Sequence, residues 1–516
     1  MKKVFLLLSI FCLMFTFIAI DESLPRSSGR SKKSSQEQKS SKDYKQRGIE
    51  LPVSADRVLI TRAVPDYSSG TEIKDYSSAF KSWTVEAKDG KVILDLTTVP
   101  VFVEEAGIQT GTFAAEESPF GIHGIRRWDD NLKELGVQWI RFAGPQGVTW
   151  GLVEPEKGKF DWSMYDKLYL ESFKNNVEML ITVKCGNTWD QGIKRDKRSQ
   201  KRARGKNNLE QGVERKKKSH KGRRGKPGMP HDIEAYSNFI HKMVERYDGD
   251  GTDDAPGAPT IKYWQIQNEV DGSWGDTPQD YAVLLKTSYM AIKEADPKAK
   301  IVLAGVMSRE GFRNFYVPML EHLNKIRDNP SDMYFDIFDF HWGGAAGSYK
   351  EKDRHGDKVD FKQYTEEIRS VLKKYNFSVP IWITEISTYS GRPESPPGLQ
   401  EQSEETQATE LVKLYVYPLA LGAKKIFWVS LKEWGTFNRR TKGYFNMVGL
   451  ISNPRNEGDS YKKLAYYTYK MLIEKLGGID LDKIQTINIG EGIYCFKFIR
   501  KNSKSIYILW YDYNKQ

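Results

Sequence analysis

The stretch "IKYWQIQNEVDG", residues 261–272, decides how the chain is read. It opens as a core strand, an apolar run that turns polar at its end, and its tip is Asn268-Glu269. A carboxylate at the end of a core strand costs free energy unless it has a partner or a task. The sheet that holds this strand, and the group that faces Glu269, are therefore the two things to find.

Runs of the same kind recur on both sides. "FGIHGI" (120–125), "VQWIRFAG" (137–144) and "EMLITVKCG" (178–186) precede it. "AKIVLAGV" (299–306), "FDIFDFHWG" (335–343), "VPIWITEIS" (379–387) and "AKKIFWVSL" (423–431) follow. Between them lie "WDDNLKELG" (128–136), "YSNFIHKMVERYD" (236–248), "TPQDYAVLLKTSYMAIKEADP" (277–297) and "TQATELVKLYVYPLALG" (406–422), with apolar residues at the three-to-four spacing of helices. Strands alternating with helices imply parallel pairing and a sheet covered by helices. Eight such units over residues 118–476 predict the α/β class and a (β/α)8 TIM barrel. A doubly wound open sheet would carry a Gly-rich phosphate turn after its first strand, and "FGIHGIRRW" is no such turn. The sequence offers no Walker motif and no metal-ligand spacing, so neither a cofactor nor a metal is expected.

The flanks differ in character. Residues 1–20, "MKKVFLLLSIFCLMFTFIAI", place a Lys pair before an apolar run, as in a secretory signal or a short membrane anchor. The run is short for a span of about 20 residues, and no small-x-small cleavage site follows. Both readings stay open, and both predict export: secreted, periplasmic, or anchored and facing outward. Residues 21–50 are Ser/Lys/Gln-rich and read as a disordered linker. Residues 51–117 read as a small β-rich segment, with two β runs around Asp89-Gly90 predicting a hairpin. After an eighth helix in "SYKKLAYYTYKMLIEKLGG" (460–478), "TINIGEGIYCFKFI" and "SIYILWYDY" predict a β-rich tail over 477–516.

The net charge of +11 is local. Lys194–Lys226, an insert after strand three, holds 16 Lys/Arg against three acids, a net of +13, so the rest of the chain stands at −2. Such an insert is either a solvated loop or a capture device for an anionic polymer, a polysaccharide or an anionic lipid surface. It lacks interleaved aromatics for base stacking, which ranks nucleic acid last. Cys12 lies in the leader; Cys185 and Cys495 form neither a disulfide framework nor a metal site, and two unpaired thiols are expected, with a single Cys185–Cys495 bridge as the alternative.

Barrels of this type place active sites at the C-terminal ends of their strands. Strand four ends in Asn268-Glu269 and strand seven in Thr384-Glu385. Strand two ends in Arg141, strand six in His341-Trp342, strand one places His123 near its end, and strand eight carries Trp428. Either glutamate alone is as well explained as a salt-bridged rim residue. Two of them on strands that face each other across a barrel, with an arginine between, suit glycoside hydrolysis. One carboxylate attacks the anomeric carbon; the other protonates the leaving oxygen and then activates water. Arg141 would keep the attacking group ionised. Asn268 could donate to a sugar hydroxyl, Trp428 could floor a sugar ring, and His341, His123 and Trp342 complete the expected substrate-binding set. Trp150, Trp189, Trp274 and Trp434 follow strands two, three, four and eight and suggest subsite walls.

This ordered set resembles glycoside hydrolase clan A over roughly residues 118–476. In that clan the acid/base and nucleophile glutamates end strands four and seven, Asn precedes the acid/base, and Arg ends strand two. "WGLVEPEKGKFDWSMYDKL" (150–168) is similar to the stretch that follows strand two in families 39 and 42. The resemblance implies that Glu269 is the acid/base and Glu385 the nucleophile of a retaining enzyme acting on a poly- or oligosaccharide. On strand six, where many members carry Tyr or His, "FHWGGAAGSYK" supplies His341 and leaves the tyrosine role unassigned. The rival is a non-catalytic glycan-binding or cell-envelope protein on a barrel scaffold. A barrel aldolase would need a strand-end lysine, for which Lys184 in "TVKCG" is the candidate.

Overall fold

A computed structural model describes residues 45–76, 78–105, 113–191, 226–343, 350–352, 358–395, 399–435, 443–500 and 505–512. The leader, most of the linker and insert residues 194–225 lie outside the described residues.

Eight strands form the ring of the central sheet: Phe120–His123 (β1), Trp139–Phe142 (β2), Glu178–Lys184 (β3), Tyr263–Ile266 (β4), Lys300–Val302 (β5), Phe338–Gly343 (β6), Ile381–Ser387 (β7) and Ala423–Val429 (β8), and a two-residue ninth, Val148–Thr149, pairs with β3 off the ring. All pair in parallel, in the spatial order β5-β4-β3-β2-β1-β8-β7-β6. Parallel bridges at Val302–Ile337 and Val306–Phe340 join β5 to β6 and bring the ring close to closure. The alternation seen in the sequence thus folds as the predicted (β/α)8 barrel.

The helices start where the sequence supplies caps. Asp232 accepts from the Ala235 amide ahead of Ile233–Glu245, Thr277 and Asp280 form a capping box ahead of Pro278–Ala295, and Ser403 accepts from Thr406 ahead of Glu404–Ala420. Their apolar faces join the outward residues of the strands in one large core.

Inside the barrel the side chains form layers. The bottom layer is apolar: Trp139, Leu180, Val302, Ile337, Trp382 and Phe427. Trp139 meets Trp382 edge-on at 5.4 Å. Lys425 points into this layer, its ammonium 3.8 Å from the Trp139 ring centre and 2.7 Å from the Ser118 carbonyl oxygen. The next layer up is polar, and it carries the site.

The flanking β segments are not two separate additions. Gln485–Thr486, Ile493–Ile499 and Ser505–Tyr511 from the C-terminal side pair with Val101–Glu105, Arg57–Arg62 and Ser82–Glu86 in one six-stranded antiparallel sheet. Gln46–Pro52 pairs with Lys91–Leu96, and the two sheets enclose a second core around Leu51, Ile60, Val103 and Leu509. The hairpin expected at Asp89-Gly90 does not form as one. The turn is present, with φ of 51° and 70° and Lys88 and Lys91 exchanging backbone bonds. The strands it joins then diverge, Ser82–Glu86 to Arg57–Arg62 and Lys91–Leu96 to Gln46–Pro52. Strand Gln46–Pro52 also begins inside the tract read as linker, because Ile49 and Leu51 alternate into the second core. Cys185 and Cys495 are both free and buried, and burial pushes both thiols up to about 12. Among the described residues no helix is long and apolar enough to cross a membrane.

Candidate active site

Two local departures from regular strand geometry aim the glutamates. At the end of β4, Gln267 and Glu269 take left-handed backbone angles, φ 67° and 47°. That conformation is costly for residues with a Cβ and concentrates at functional sites. It turns the chain out of the barrel wall and into the short helix Val270–Ser273, whose Gly272 and Ser273 amides donate to the Glu269 carbonyl. On β7 the device is a bulge. Asp339 pairs with Trp382 and His341 with Glu385, so two steps on β6 oppose three on β7. The extra residue lets both Thr384 and Glu385 face inward, where strict alternation would send one of them to the helices.

Arg141 is the hub. Fully buried at the end of β2, its guanidinium donates to Glu385 Oε1 at 2.7 Å, to Asn268 Oδ1 at 2.5 Å and, through Nε, to Gln265 Oε1 at 2.9 Å. Its Nη1 also lies 3.3 Å from His123 Nδ1. An arginine can only donate, so His123 Nδ1 accepts there and its Nε2 carries the proton, 3.5 Å from Glu385. Burial pushes His123 down to about 3, so it is neutral.

His341 joins the two glutamates from the other side. Its Nδ1 lies 2.9 Å from Glu269 Oε1, and its Nε2 lies 3.1 Å from Thr384 Oγ1 and 3.9 Å from Glu385 Oε1. Burial opposes its charge, but the Glu385 and Glu269 carboxylates outweigh that and raise it to about 9. Burial likewise opposes ionisation of Glu385. The positive His341 and Arg141 overcome this and hold its carboxyl well below the usual carboxylate range. One oxygen from each glutamate and a ring nitrogen of His341 all lie within 4.8 Å of one another.

Beneath them sits a polar layer that the sequence reading missed. Gln265 donates to Asp339 Oδ2 at 2.6 Å and to the Leu303 carbonyl at 3.0 Å, and accepts from Thr182 at 3.0 Å. Asp339 also accepts from the Thr384 amide at 2.9 Å and hydroxyl at 2.5 Å, which pins the β7 bulge. Burial raises the Asp339 carboxyl, and the nearby His341 and Arg141 partly offset it. The available signal was the period of two: Gln265 stands two residues before Gln267, and Asp339 two before His341, in runs that are otherwise apolar.

Glu269, Glu385, Arg141, Asn268, His341 and His123 thus converge. Two expected residues do not. Trp428 is fully buried and outside the barrel lumen, its indole N–H on the Val448 carbonyl at 3.1 Å. The inward residues of β8 are Lys425 and Phe427, so Trp428 faces the helices and cannot floor a sugar ring. Trp342, next to the inward His341, packs outward against Phe361 at 5.1 Å. Of the four tryptophans read as subsite walls, Trp150 and Trp274 are core residues. Trp189 leans edge-on against Trp150 at 5.1 Å and donates to the Glu154 carbonyl. Trp434 stacks on Phe445 at 5.1 Å and lies beside Gly124, at the mouth. The 150–168 stretch is architectural: buried Glu154 accepts from Trp150 Nε1 at 2.5 Å and from the Gly158 amide at 2.6 Å, and closes the loop on itself.

The barrel and its additions define a class of fold, the TIM barrel. Among solved structures the chain is similar to a family 39 glycoside hydrolase from the gut symbiont Bacteroides cellulosilyticus WH2, at 15% identity and a TM-score of 0.55, over 90% of this chain and 86% of that one. A monomeric β-xylosidase from Caulobacter crescentus CB15 matches at 16% identity and TM-score 0.45, over 74% and 73%. A family 1 β-glucosidase from Thermotoga maritima matches at 12% identity and TM-score 0.41, over 67% and 85%. No protein-family model and no curated protein matches the sequence. At these identities the likeness is one of fold, and at that level it agrees with the clan resemblance read from the sequence.

Proposed function

We propose that the protein is a retaining glycoside hydrolase, with Glu385 as nucleophile and Glu269 as acid/base, acting on an oligo- or polysaccharide. The observation that carries this reading is the 4.8 Å limit on the spacing of the two glutamate oxygens. Retaining enzymes hold their carboxyl groups about 5–5.5 Å apart, whereas inverting ones leave about 6.5–9.5 Å for a water. Glu385, kept ionised by Arg141 and His341, attacks the anomeric carbon. Glu269 passes to the departing oxygen the proton that it shares with His341 across their 2.9 Å contact, and the sugar stays as an ester on Glu385. Glu269 then takes a proton from water, which opens the ester and restores both groups. Asn268 spends its carbonyl oxygen on Arg141, which leaves its amide N–H groups for a hydroxyl beside the reacting carbon. The leader read from residues 1–20 adds export to the proposal.

Aryl glycosides test it. Glu385→Ala should lose retaining turnover for every leaving group. Glu269→Ala should still glycosylate with an acidic leaving group, accumulate the ester, and regain turnover when azide is added. NMR of the first product should show the substrate's own anomer. An inverted first product, or a Glu385→Ala variant that keeps turning over, sinks the assignment.

A further inference from the structure

The charges at the mouth are nearly all matched. Arg141 has Glu385 at 2.7 Å, and His341 has Glu269 at 2.9 Å. Lys184, the last residue of β3, has no carboxylate within ion-pair distance among the described residues. Its ammonium donates to the Gly144 carbonyl oxygen at 3.2 Å, which uses one of three N–H donors. It stands two residues beyond Thr182, whose hydroxyl points inward onto Gln265, so Lys184 also faces inward, one layer above Arg141. That is the level of the two glutamates, and Lys184 is half-buried there. Burial lowers the ammonium to about 8, helped by Arg141 and opposed by Glu385 and Glu269. A cation without a counter-ion at such a place is costly unless a ligand completes it.

We propose that Lys184 is a specificity-determining residue, whose free N–H groups take an anionic substituent, a carboxylate or a sulfate ester, on the sugar held between Glu269 and Glu385. This rests on the glycosidase reading above.

The test compares matched 4-nitrophenyl glycosides: glucuronide with glucoside, galacturonide with galactoside, and each 6-sulfated hexoside with its neutral parent. The wild type should favour the anionic member of one pair by about 100-fold in kcat/KM. The uronide and sulfate arms say which anion is read. Lys184→Met should bring that ratio to within a few-fold of one, and Lys184→Arg should restore part of it. The wild-type ratio should also fall as pH rises through about 8, as Lys184 loses its proton among Arg141, Glu269 and Glu385; a merely structural lysine would leave this profile flat. Retaining turnover of neutral glycosides with no anionic preference, or equal losses on both members of a pair in Lys184→Met, overturns the role of Lys184 and leaves the glycosidase reading standing. No turnover of any glycoside, or turnover that survives Glu385→Ala, overturns that reading and this inference with it.

Discussion

The two ends of the barrel each bury a cation, and they satisfy it differently. At the bottom, Lys425 lies over the Trp139 ring and donates to the Ser118 carbonyl. Ring faces attract a cation diffusely and fix no other group in place. At the mouth, Arg141 makes directional bonds to Glu385, Asn268 and Gln265. Each of those bonds orients a side chain that has other work to do. A buried charge that holds the fold can rest on soft contacts; one that arranges a reaction needs hard ones.

The sharpest way to break this contrast is to remove both cations in turn. Arg141→Met takes a charged donor away from Glu385, Asn268 and Gln265. It should cost about 3–5 kcal/mol in urea unfolding and at least about 1,000-fold in kcat/KM on an aryl glycoside. Lys425→Met should cost about 1–2 kcal/mol and leave kcat/KM within about twofold. Comparable losses of activity in both would erase the distinction.

A smaller effect appears in pH. His341 is raised from 6.5 to about 9, so its contribution to stability is whole below pH 6.5 and fades as pH rises through about 9. Glu385 is lowered, so its contribution is whole above its usual 4.5 and fades on acidification below that. The mouth should therefore be firmest between about pH 4.5 and 6.5. In His341→Asn the alkaline decline of the melting temperature should flatten, and the acid limb should shrink to the part that Arg141 maintains. An unchanged alkaline limb would mean that His341 is not charged at neutral pH.

Smaller still is the effect of Trp428→Phe. It removes the bond to the Val448 carbonyl and some packing, so the melting temperature should fall by about 2–4 °C with KM unchanged. A raised KM would return Trp428 to the substrate side. The smallest effect on catalysis should come from deleting residues 195–225. Turnover of a small neutral glycoside should stay within about twofold, while retention on an anionic polymer weakens, most clearly at low salt. Equal loss in both assays would make the insert a part of the site.

The architecture was legible because eight apolar runs and the helices between them keep their own periods. The site was legible because strand ends in such a barrel converge, which brought Glu269, Glu385 and Arg141 together from positions far apart in the chain. Orientation was the part that could not be read. "FHWG" and "IFWVS" are apolar on both sides, so nothing in them says that His341 faces in while Trp342 and Trp428 face out. The β7 bulge is equally silent: "IWITEIS" contains no glycine to mark it, and it exists because Asp339 on the neighbouring strand holds Thr384. The failed hairpin at Asp89-Gly90 has the same origin. The turn chemistry was right, but the partners of both strands lie elsewhere in the chain.

The six-stranded antiparallel sheet sets a timetable for the nascent chain. Val101–Glu105 pairs on one side with Arg57–Arg62, made shortly before it, and on the other with Ser505–Tyr511, made roughly 400 positions later. At about 5–20 residues per second, that edge stays unpaired for about 20–80 s while the whole barrel is synthesised. The chain between is tethered at both ends by this sheet, so its last pairing turns a growing polymer into a closed loop.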